Sequence, residues 1–597
     1  MRFSKLSGEN IYHLFVSGAN EVISQKQNLN DINVFPVPDG DTGNNLASTM
    51  VTIIEEAKIE KSASDTFKSI ADAALVGARG NSGIIFAQYL NGISKNLTNE
   101  DELTIGSFTE SAKKAVPQAY SAISNPVEGT MITVIREWAD HMYSIRESAG
   151  DFSELLSISL ETAIKSLQET TEKLKVLKDA AVVDSGAKGF VHFVEGFVKF
   201  LKTGIVEKLM LQDEHPLLLG EHPSSIHENF NFRYCTEGLI LKNNIDQDIE
   251  EIKNELKQMG DSLIVAGNDT KIRIHIHTND PSKVFMSLRN YGKILQQKAD
   301  DMKNQYDAIY NRKYSVALVT DSIADIPRDV MDKYQISMIP LNLMIEDSAY
   351  LDKMTITSET FYKLLDEIDE YPTSSQPNLK VVENILGNLI QNYDSAIVIT
   401  VAKPLSGTYQ TILNAAKKFN ENEKRIHVID SKQNSGAQGL LVLKAAELID
   451  SGLSVAKVVE SIESHIKKTK IFVSVTTLKY MVRSGRVNKV TGLAARALNL
   501  KPVISLDDSG MGTILDKAFS LKGNTSKIEK RVKEFKGKNG NLRFAVIHAG
   551  AEERADEYRK RFSKLLGSEP EYVMNISPIV AMSAGIGCVA VAIMADE

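Results

Sequence analysis

Residues 33–45 read NVFPVPDGDTGNN. Asp39 and Asp41 flank Gly40 in a loop stiffened by Pro36 and Pro38, and Gly43 follows two positions after Asp41. Gly40 allows a turn tight enough for both carboxylates to face one point. Magnesium takes about six oxygen ligands, keeps several waters, and draws the rest from one or two carboxylates and substrate phosphates. Asp39 and Asp41, with the amide oxygen of Asn33, suit that need. A solvated Asp-Gly turn uses the same residues, so this loop alone leaves both readings open.

Two further loops bear on the choice. GARGNSG, residues 77–83, precedes the apolar run IIFAQYL, so its amides and the Ser82 hydroxyl stand at a helix start suited to phosphate. VVDSGAKGF, residues 182–190, repeats the arrangement with Asp184, Ser185 and Gly186. Segments such as IADAALVGARG and GSFTESAKKAVPQAYSAI carry helix formers with apolar recurrence, so the first ~200 residues read as helices joined by short loops. Three such loops on one helical block favour the phosphate reading. None matches a Walker A loop or a protein-kinase glycine loop.

The whole chain, 597 residues, is too long for one core, and two to four domains are expected. Its 43% hydrophobic and 24% charged content is ordinary for a folded soluble protein, and its net charge of −8 gives no footprint for nucleic acid. Cys235 and Cys588 are the only cysteines, which excludes a disulfide framework and points to a reducing interior. The N-terminus, MRFSKLSGENIYHLFVSGANEV, lacks the apolar core of a signal peptide. Residues 576–595, ISPIVAMSAGIGCVAVAIMA, are uncharged over about a membrane span. Ser577-Pro578 and the glycines at 585 and 587 interrupt them, which predicts two buried strands around a glycine turn. A cytoplasmic protein without a transmembrane segment is expected; transient contact with a membrane surface is compatible with this.

Prolines, histidines and polar residues cluster without a period over residues 208–232, as in a linker. CTEGLILK and TKIRIHIHT then read as strands, with the helix candidate QDIEEIKNELKQMG between them and a long charged helix over about residues 281–311. SVALVT, SAIVITVA and RIHVID each precede a loop and a helical segment, the pattern of a largely parallel α/β sheet. The expected boundaries are 1–203 for the helical block, 204–230 for the linker, 231–312 for a middle α/β domain with its connecting helix, and 313–597 for the rest.

Strand spacing puts His275 and His277 on one face, and Cys235 on a second strand would complete a Cys-His-His set. Three N/S ligands suit zinc and leave a fourth position open. Histidines on a strand face also often just pack. Farther on, Ser406-Gly407-Thr408 follows a strand and opens a helix, so its hydroxyl and NH groups can receive a carboxylate. Ser374 and Ser375, held by Pro372 and Pro377, offer a second set of donors. Each alone is equally a helix cap or a polar turn.

NVFPVPDGDTGNN, GARGNSG, NPVEGTM and VVDSGAKG, in this order over about residues 1–200, resemble the nucleotide-binding subunit of dihydroxyacetone kinases. More closely they resemble the kinase subunit of bacterial fatty acid kinase. The resemblance implies an antiparallel helical barrel binding ATP and Mg²⁺ at one end. Asp39 and Asp41 would be metal ligands with Asn33 as the third, and Arg79 a cation for transition-state charge. Thr42, Gly43, Asn44, Asn81, Ser82 and Gly83 would lie by the phosphates. Thr130 and Met131 would border the adenine, and Asp184 and Gly186 would close the pocket. The same family has the cysteine and the His-x-His of the middle block, which implies Zn²⁺ on Cys235, His275 and His277.

SVALVTDSIADIP, YPTSSQPN, VAKPLSGTYQ, VIDSKQNSGAQG and LKYMVRSGRV, from about residue 313 onward, resemble the DegV family of fatty-acid-binding proteins over its full length. The resemblance implies two α/β lobes burying one acyl chain. Ser374 and Ser406 would hold its carboxylate, with Ser375 and Gly407 beside them and Arg486 near the head group. The family's usual His-x-Gly-Pro-Gly segment reads Ser583-Ala584-Gly585-Ile586-Gly587 here, which replaces a potential cation by a neutral donor. A hydrogen bond to a charged group contributes about 1.5–3 kcal/mol, against ~1 for a neutral pair.

The expected protein is thus multidomain: an all-α helical barrel, a small α/β middle domain and a two-lobed α/β DegV-like domain. The expected function is phosphorylation of a long-chain fatty acid by ATP, in a homodimer if the linkers do not permit docking within one chain. The family implies a downstream glycerol-lipid acyltransferase. A non-catalytic lipid sensor and a kinase of a small polyol such as dihydroxyacetone are the alternatives.

Overall fold

The computed structural model describes residues 2–35, 40–206, 231–245, 248–368, 370–421, 423, 425–484 and 500–596. Asp39, Arg486 and nearly all of the expected linker lie outside the described residues. The chain divides into two compact units, Met1–Asp301 and Met302–Glu597.

Ten helices and a short antiparallel pair, β1 (Lys5–Ser7) and β2 (Glu102–Thr104), open the first unit. The helices are α1 (Gly8–Ser24), α2 (Lys26–Asp31), α3 (Thr42–Glu56), α4 (Ala63–Gly77), α5 (Gly80–Asn96), α6 (Ile105–Ala122), α7 (Met131–Ile145), α8 (Phe152–Lys173), α9 (Lys175–Ala180) and α10 (Ser185–Thr203). Their starts are written into the sequence. Ser7 and Asn10 form a reciprocal capping box on α1, and Ser62, Asp151 and Asp184 each accept an amide of the helix they precede. In the order α3, α4, α5, α6, α7, α8, α10, α1, each helix packs on the next, and α1 returns to α3.

Apolar residues at helical spacing fill the interior. Phe15 meets Phe67, Phe193 and Phe197 with ring centroids 5.1–5.4 Å apart, and the single tryptophan, Trp138, stands edge-on to Phe190 at 5.3 Å. Close crossing of α1 and α10 depends on glycine. A Cβ on Gly196 would lie 2.5 Å from the Ser17 carbonyl oxygen and 2.6 Å from Gly18 Cα.

The middle block is an antiparallel sheet of β3 (Tyr234–Lys242), β4 (Gly260–Gly267), β5 (Lys271–Thr278) and β6 (Gly292–Asp301), in the spatial order β4-β5-β3-β6. α11 (Ile249–Leu256) and α12 (Pro281–Arg289) accompany it. The long helix expected over 281–311 is instead a helix, a strand and a second helix, Met302–Tyr310. Asn290 ends α12, Gly292 lies against the Leu241 carbonyl, and Ile294 to Asp301 pair with β3, a tertiary demand that overrides the local helical pattern.

The sheet's two faces differ. Ile240, Ile272, Ile274 and Ile276 are buried on one face, where the position of a Gly238 Cβ lies 3.2 Å from Phe285 and 3.4 Å from Leu288 of α12. Ile264 and Ala266, on the other face, join the helical core. That face also carries Cys235, Glu237, Arg273, His275, His277, Lys298 and Asp300, which strand register sets side by side. The sheet is thereby turned with its polar face toward the helices.

The second unit begins with a four-stranded parallel sheet, in the order Ile426–Asp430, Ser395–Thr400, Val316–Asp321, Ser337–Ile339. A six-stranded sheet follows in its second lobe, and there the expected parallel pattern fails: only Leu542–His548 and Val573–Asn575 pair in parallel. Local alternation of strand and helix does not reveal that Val589–Ala595, the last strand, inserts antiparallel between two earlier ones. The segment 576–595 also differs from expectation. Its first half is a helix, Pro578–Ala584, capped by Ser577 with proline in its first turn. Its second half is the expected buried strand, after a turn in which Gly585 and Gly587 have φ of 87° and 82°. Among the described residues no helix is long and apolar enough to cross a membrane.

Candidate nucleotide and metal site

The N-termini of α3, α5, α7 and α10 gather at one end of the helical block. A Cβ on Gly80 (φ 56°) would lie 2.3 Å from the Asn45 amide nitrogen, which brings the start of α5 onto α3. A Cβ on Gly186 would lie 2.6 Å from Ser82 Oγ, which brings α10 onto α5. The Asp184 carboxylate accepts the Ala187 amide at 2.8 Å and also the amide of Met131, which fixes α7 beside α10. The first-turn amides of these helices have no intrahelical acceptor and each N-terminus carries a partial positive charge, so the gathering favours an anion.

The structure thus brings together Asp41, Thr42, Gly43, Asn81, Ser82, Gly83, Thr130, Met131, Asp184 and Gly186. Asp41 precedes α3 without capping it, unlike the aspartates that precede α8 and α10. Asn33, buried at 2% exposure, follows α2 and donates its amide to the Asn30 carbonyl. Asn44 is engaged in packing: its backbone amide donates to Asn30 Oδ1 at 3.2 Å and its side chain accepts from Asn30 Nδ2 at 3.3 Å. Thr130 Oγ1 donates to the Val127 carbonyl at 2.8 Å, and the Met131 side chain is buried. Asn81 Oδ1 is buried with no partner among the described residues.

Burial lifts the Asp184 carboxyl to about 6, against the pull of the Ala187 and Met131 amides. An acid whose folded-state pKa exceeds its unfolded value of ~3.9 holds its proton more tightly when folded. Its contribution to stability is therefore complete below about pH 4 and is lost as pH rises through about 6, a difference of about 3 kcal/mol. Asp184→Asn should therefore unfold like the wild type near pH 4 and be more stable by about 2–3 kcal/mol at pH 8. Urea unfolding followed by Trp138 fluorescence reads this, and a variant effect independent of pH would contradict it.

The polar sheet face meets this end of the helices. Glu237, 1% exposed, accepts the Gly80 amide at 2.7 Å, Arg273 Nη2 at 3.0 Å and Arg79 Nη1 at 3.4 Å. Burial opposes its charge, but Lys298, His275 and Arg273 outweigh burial and hold its carboxyl well below the usual range. The field of Asp41 is felt by both Lys298 and Cys235, so Asp41 and the sheet face share one electrostatic environment.

Cys235, His275 and His277 present ligand atoms all within 4.8 Å of one another. Cys235 Sγ lies 3.9 Å from His275 Nδ1. His275 Nε2 is buried with no partner among the described residues. Glu237 Oε1 lies 3.6 Å from His275 Nδ1, and Asp261 Oδ1 3.6 Å from His277 Nδ1. Carboxylates often orient metal-bound imidazoles in this way. Burial, with His275 beside it, lowers His277 to about 3, so this imidazole is neutral and keeps a lone pair for a ligand bond. The donor set fits a borderline-soft divalent ion.

In the second unit, Ser374 lies on strand Thr373–Ser375 and Ser375 is exposed. A Cβ on Gly407 would meet Gln376 Oε1 at 1.7 Å, so the Ser374–Gln376 stretch and the Ser406–Thr408 loop are in contact. Ser406 Oγ shares a hydrogen bond of 2.8 Å with Thr408 Oγ1 and accepts the Thr408 amide at 3.3 Å. Tyr371 donates to the Met582 carbonyl, which ties the helix carrying Ser583 to the same segment. A small cavity there is lined by Tyr371, Tyr480, Lys479 and Arg483, and Arg483 stacks over Tyr371 at 5.4 Å. Sequence reading missed Lys479 and Arg483, two cations beside the segment where Ser583 stands in place of the family histidine.

Sequence reading also missed Glu237, Arg273 and Lys298. Cys-x-Glu and Arg-x-His-x-His on β3 and β5 carried the period-two signal, and Lys298 was hidden by the helical reading of 281–311.

Three family models match the chain in succession. They are the DAK2 domain over residues 36–199, the FakA-like middle domain of fatty acid kinase over 231–309, and the DegV family over 315–596. The chain joins these three domains in one polypeptide, a kinase-like arrangement followed by a DegV domain. An uncharacterized protein of Staphylococcus epidermidis is 33% identical over 348 residues, 54% of this chain and 62% of its own length. One of Staphylococcus aureus is 34% identical over 324 residues, 53% of this chain and 59% of its own. The chain therefore spans less than two thirds of the curated relatives it matches. Among solved structures, a fatty-acid-binding DegV family protein from Thermus thermophilus is 25% identical with a TM-score of 0.44, covering 47% of this chain and 99% of its own. DegV, a fatty acid binding protein from Bacillus subtilis, is 27% identical with a TM-score of 0.43, covering 48% and 100%.

Proposed function

We propose that the chain is a self-contained acyl kinase: ATP and a long-chain fatty acid held by the DegV domain give acyl phosphate and ADP. The observation that carries this reading is the gathering of four helix N-termini around Asp41, in a DAK2 domain followed by a fatty acid kinase-like middle domain. Asp39, Asp41 and Asn33 would hold Mg²⁺. Thr42, Gly43, Asn81, Ser82 and Gly83 would take the phosphates, and Thr130 and Met131 would border the adenine. Arg79 and Lys298 are the cations near the transferring group. Cys235, His275 and His277 would hold Zn²⁺ on the two central strands of the sheet.

The chemistry needs little else. A fatty carboxylate has a pKa near the ~4.3 of a Glu side chain, so it is ionised at neutral pH and needs no general base. One carboxylate oxygen attacks the γ-phosphorus, the bond to the β-phosphate oxygen breaks, and ADP leaves. Catalysis is then positioning and charge neutralisation. The acyl phosphate is a reactive mixed anhydride and calls for an acyl-accepting enzyme downstream. A tethered donor and acceptor act at an effective concentration of order millimolar where the linker can span them. A turnover number independent of protein concentration would favour transfer within one chain over transfer across a homodimer.

Hydroxylamine trapping tests the product. Acyl hydroxamate should form only with MgATP, fatty acid and protein together, and ATP consumption without hydroxamate would contradict the reading. Ser374, Ser375, Ser406, Gly407 and Ser583, with Arg486, are the proposed head-group contacts. Ser406→Ala removes a hydroxyl donor and should weaken oleate binding about tenfold, as read by displacement of a fluorescent fatty acid. Unchanged affinity would place the carboxylate elsewhere.

A further inference from the structure

Glu237 is not among the ligand or substrate residues above, yet it sits where the two parts of the first unit meet. A carboxylate at 1% exposure facing a fully buried Arg273 is an expensive arrangement. Apolar residues of similar volume often serve stability as well or better, so the pair calls for a reason other than stability. Arg273 does not neutralise Glu237 alone. It also donates to Gln296 Oε1 at 2.9 Å, so its guanidinium is shared between two acceptors.

What Glu237 reaches outside the sheet is the Arg79–Gly80 turn. Its Oε1 accepts the Gly80 amide at 2.7 Å and its Oε2 faces Arg79 Nη1 at 3.4 Å. Gly80 is the first residue of α5, with φ of 56° and Asn45 packed where a side chain would stand. Its amide cannot be satisfied by α5, because the first amides of a helix have no intrahelical acceptor. Here a charged acceptor from another domain supplies the partner, and a charge-assisted bond is short and directional. The next three residues are Asn81, Ser82 and Gly83, so the orientation of their amides follows from how Gly80 is held.

We propose that Glu237 is a positioning residue: by fixing the Gly80 amide it aims the first turn of α5 at the bound anion. This rests on the kinase reading only in taking that anion to be nucleotide phosphate. Two variants of the full chain separate the role from simple charge balance. Glu237→Asp keeps the charge that faces Arg273 but withdraws the acceptor from Gly80. Glu237→Gln keeps an acceptor oxygen at full length but loses the charge.

Hydrogen exchange at the amides of residues 80–83 and calorimetric MgADP binding are the readouts, with Trp138 fluorescence reporting the fold. Glu237→Asp should speed exchange at Gly80 and weaken MgADP about tenfold or more, with the Trp138 transition retained, while Glu237→Gln keeps most of the Gly80 protection. Wild-type exchange at Gly80 and wild-type MgADP affinity in Glu237→Asp would overturn the proposal. A wild-type chain that binds no MgADP would instead overturn the kinase reading, and the exchange result would still decide whether Glu237 positions the turn.

Discussion

Asp41→Ala should reduce fatty-acid-dependent ADP release by on the order of 10³-fold or more while leaving the helical block folded. The loss is large because the proposed reaction has no acid–base step to share the burden. The carboxylate is already a nucleophile, and the barrier lies in bringing together negative charges that a metal must neutralise. The fold should survive because Asp41 does not cap α3, so the variant forfeits none of the ~1 kcal/mol that a capping aspartate contributes. ADP release and the Trp138 melting transition, measured on the same preparation, check both halves of the expectation. A variant that still turns over at more than a tenth of the wild-type rate would remove Asp41 from the metal site.

Removal of the metal proposed for Cys235, His275 and His277 should have the largest effect on stability. Wild-type protein should carry about one equivalent of zinc, and His275→Ala should carry none. A ligand bound only by the folded state, at a thousandfold excess over its dissociation constant, stabilises by about 4 kcal/mol. Chelation should therefore lower the unfolding midpoint of the first unit by several degrees. The effect is sharpened by burial: without an ion, the His275 Nε2 atom stays inside with no partner among the described residues. Metal analysis and scanning calorimetry with and without chelator provide the measurement. A wild-type chain free of zinc whose melting ignores chelator would mean that the three residues only pack.

The helical block was legible because its information is local. Capping residues precede the helices, apolar residues recur at helical spacing, and the glycine-rich loops fall at helix starts. The Cys-His-His set was legible for a similar reason, since alternation on a strand places two histidines on one face. What could not be read was set by pairing between distant segments. Lys298 stands opposite Glu237 only because residues 292–301 pair with β3, and a charged stretch such as GKILQQKADD carries no strong strand period of its own. Glu237 looked like an ordinary charged residue in CTEGLILK until the register set it against His275 on one side and Lys298 on the other. The helix at 578–584 shows the same limit. Its apolar run suits either state, and the Ser577 cap and Pro578 decided it. Motif position placed Asn44 by the phosphates, and it did not reveal that Asn44 also hydrogen-bonds Asn30.

The most direct measurement is ADP release by the purified chain with MgATP, with and without a long-chain fatty acid. Release that requires the acid, saturates with it and matches acyl phosphate formed mole for mole is the predicted result. ADP release of equal rate without any acid, or none with every chain length tried, would contradict a self-contained acyl kinase.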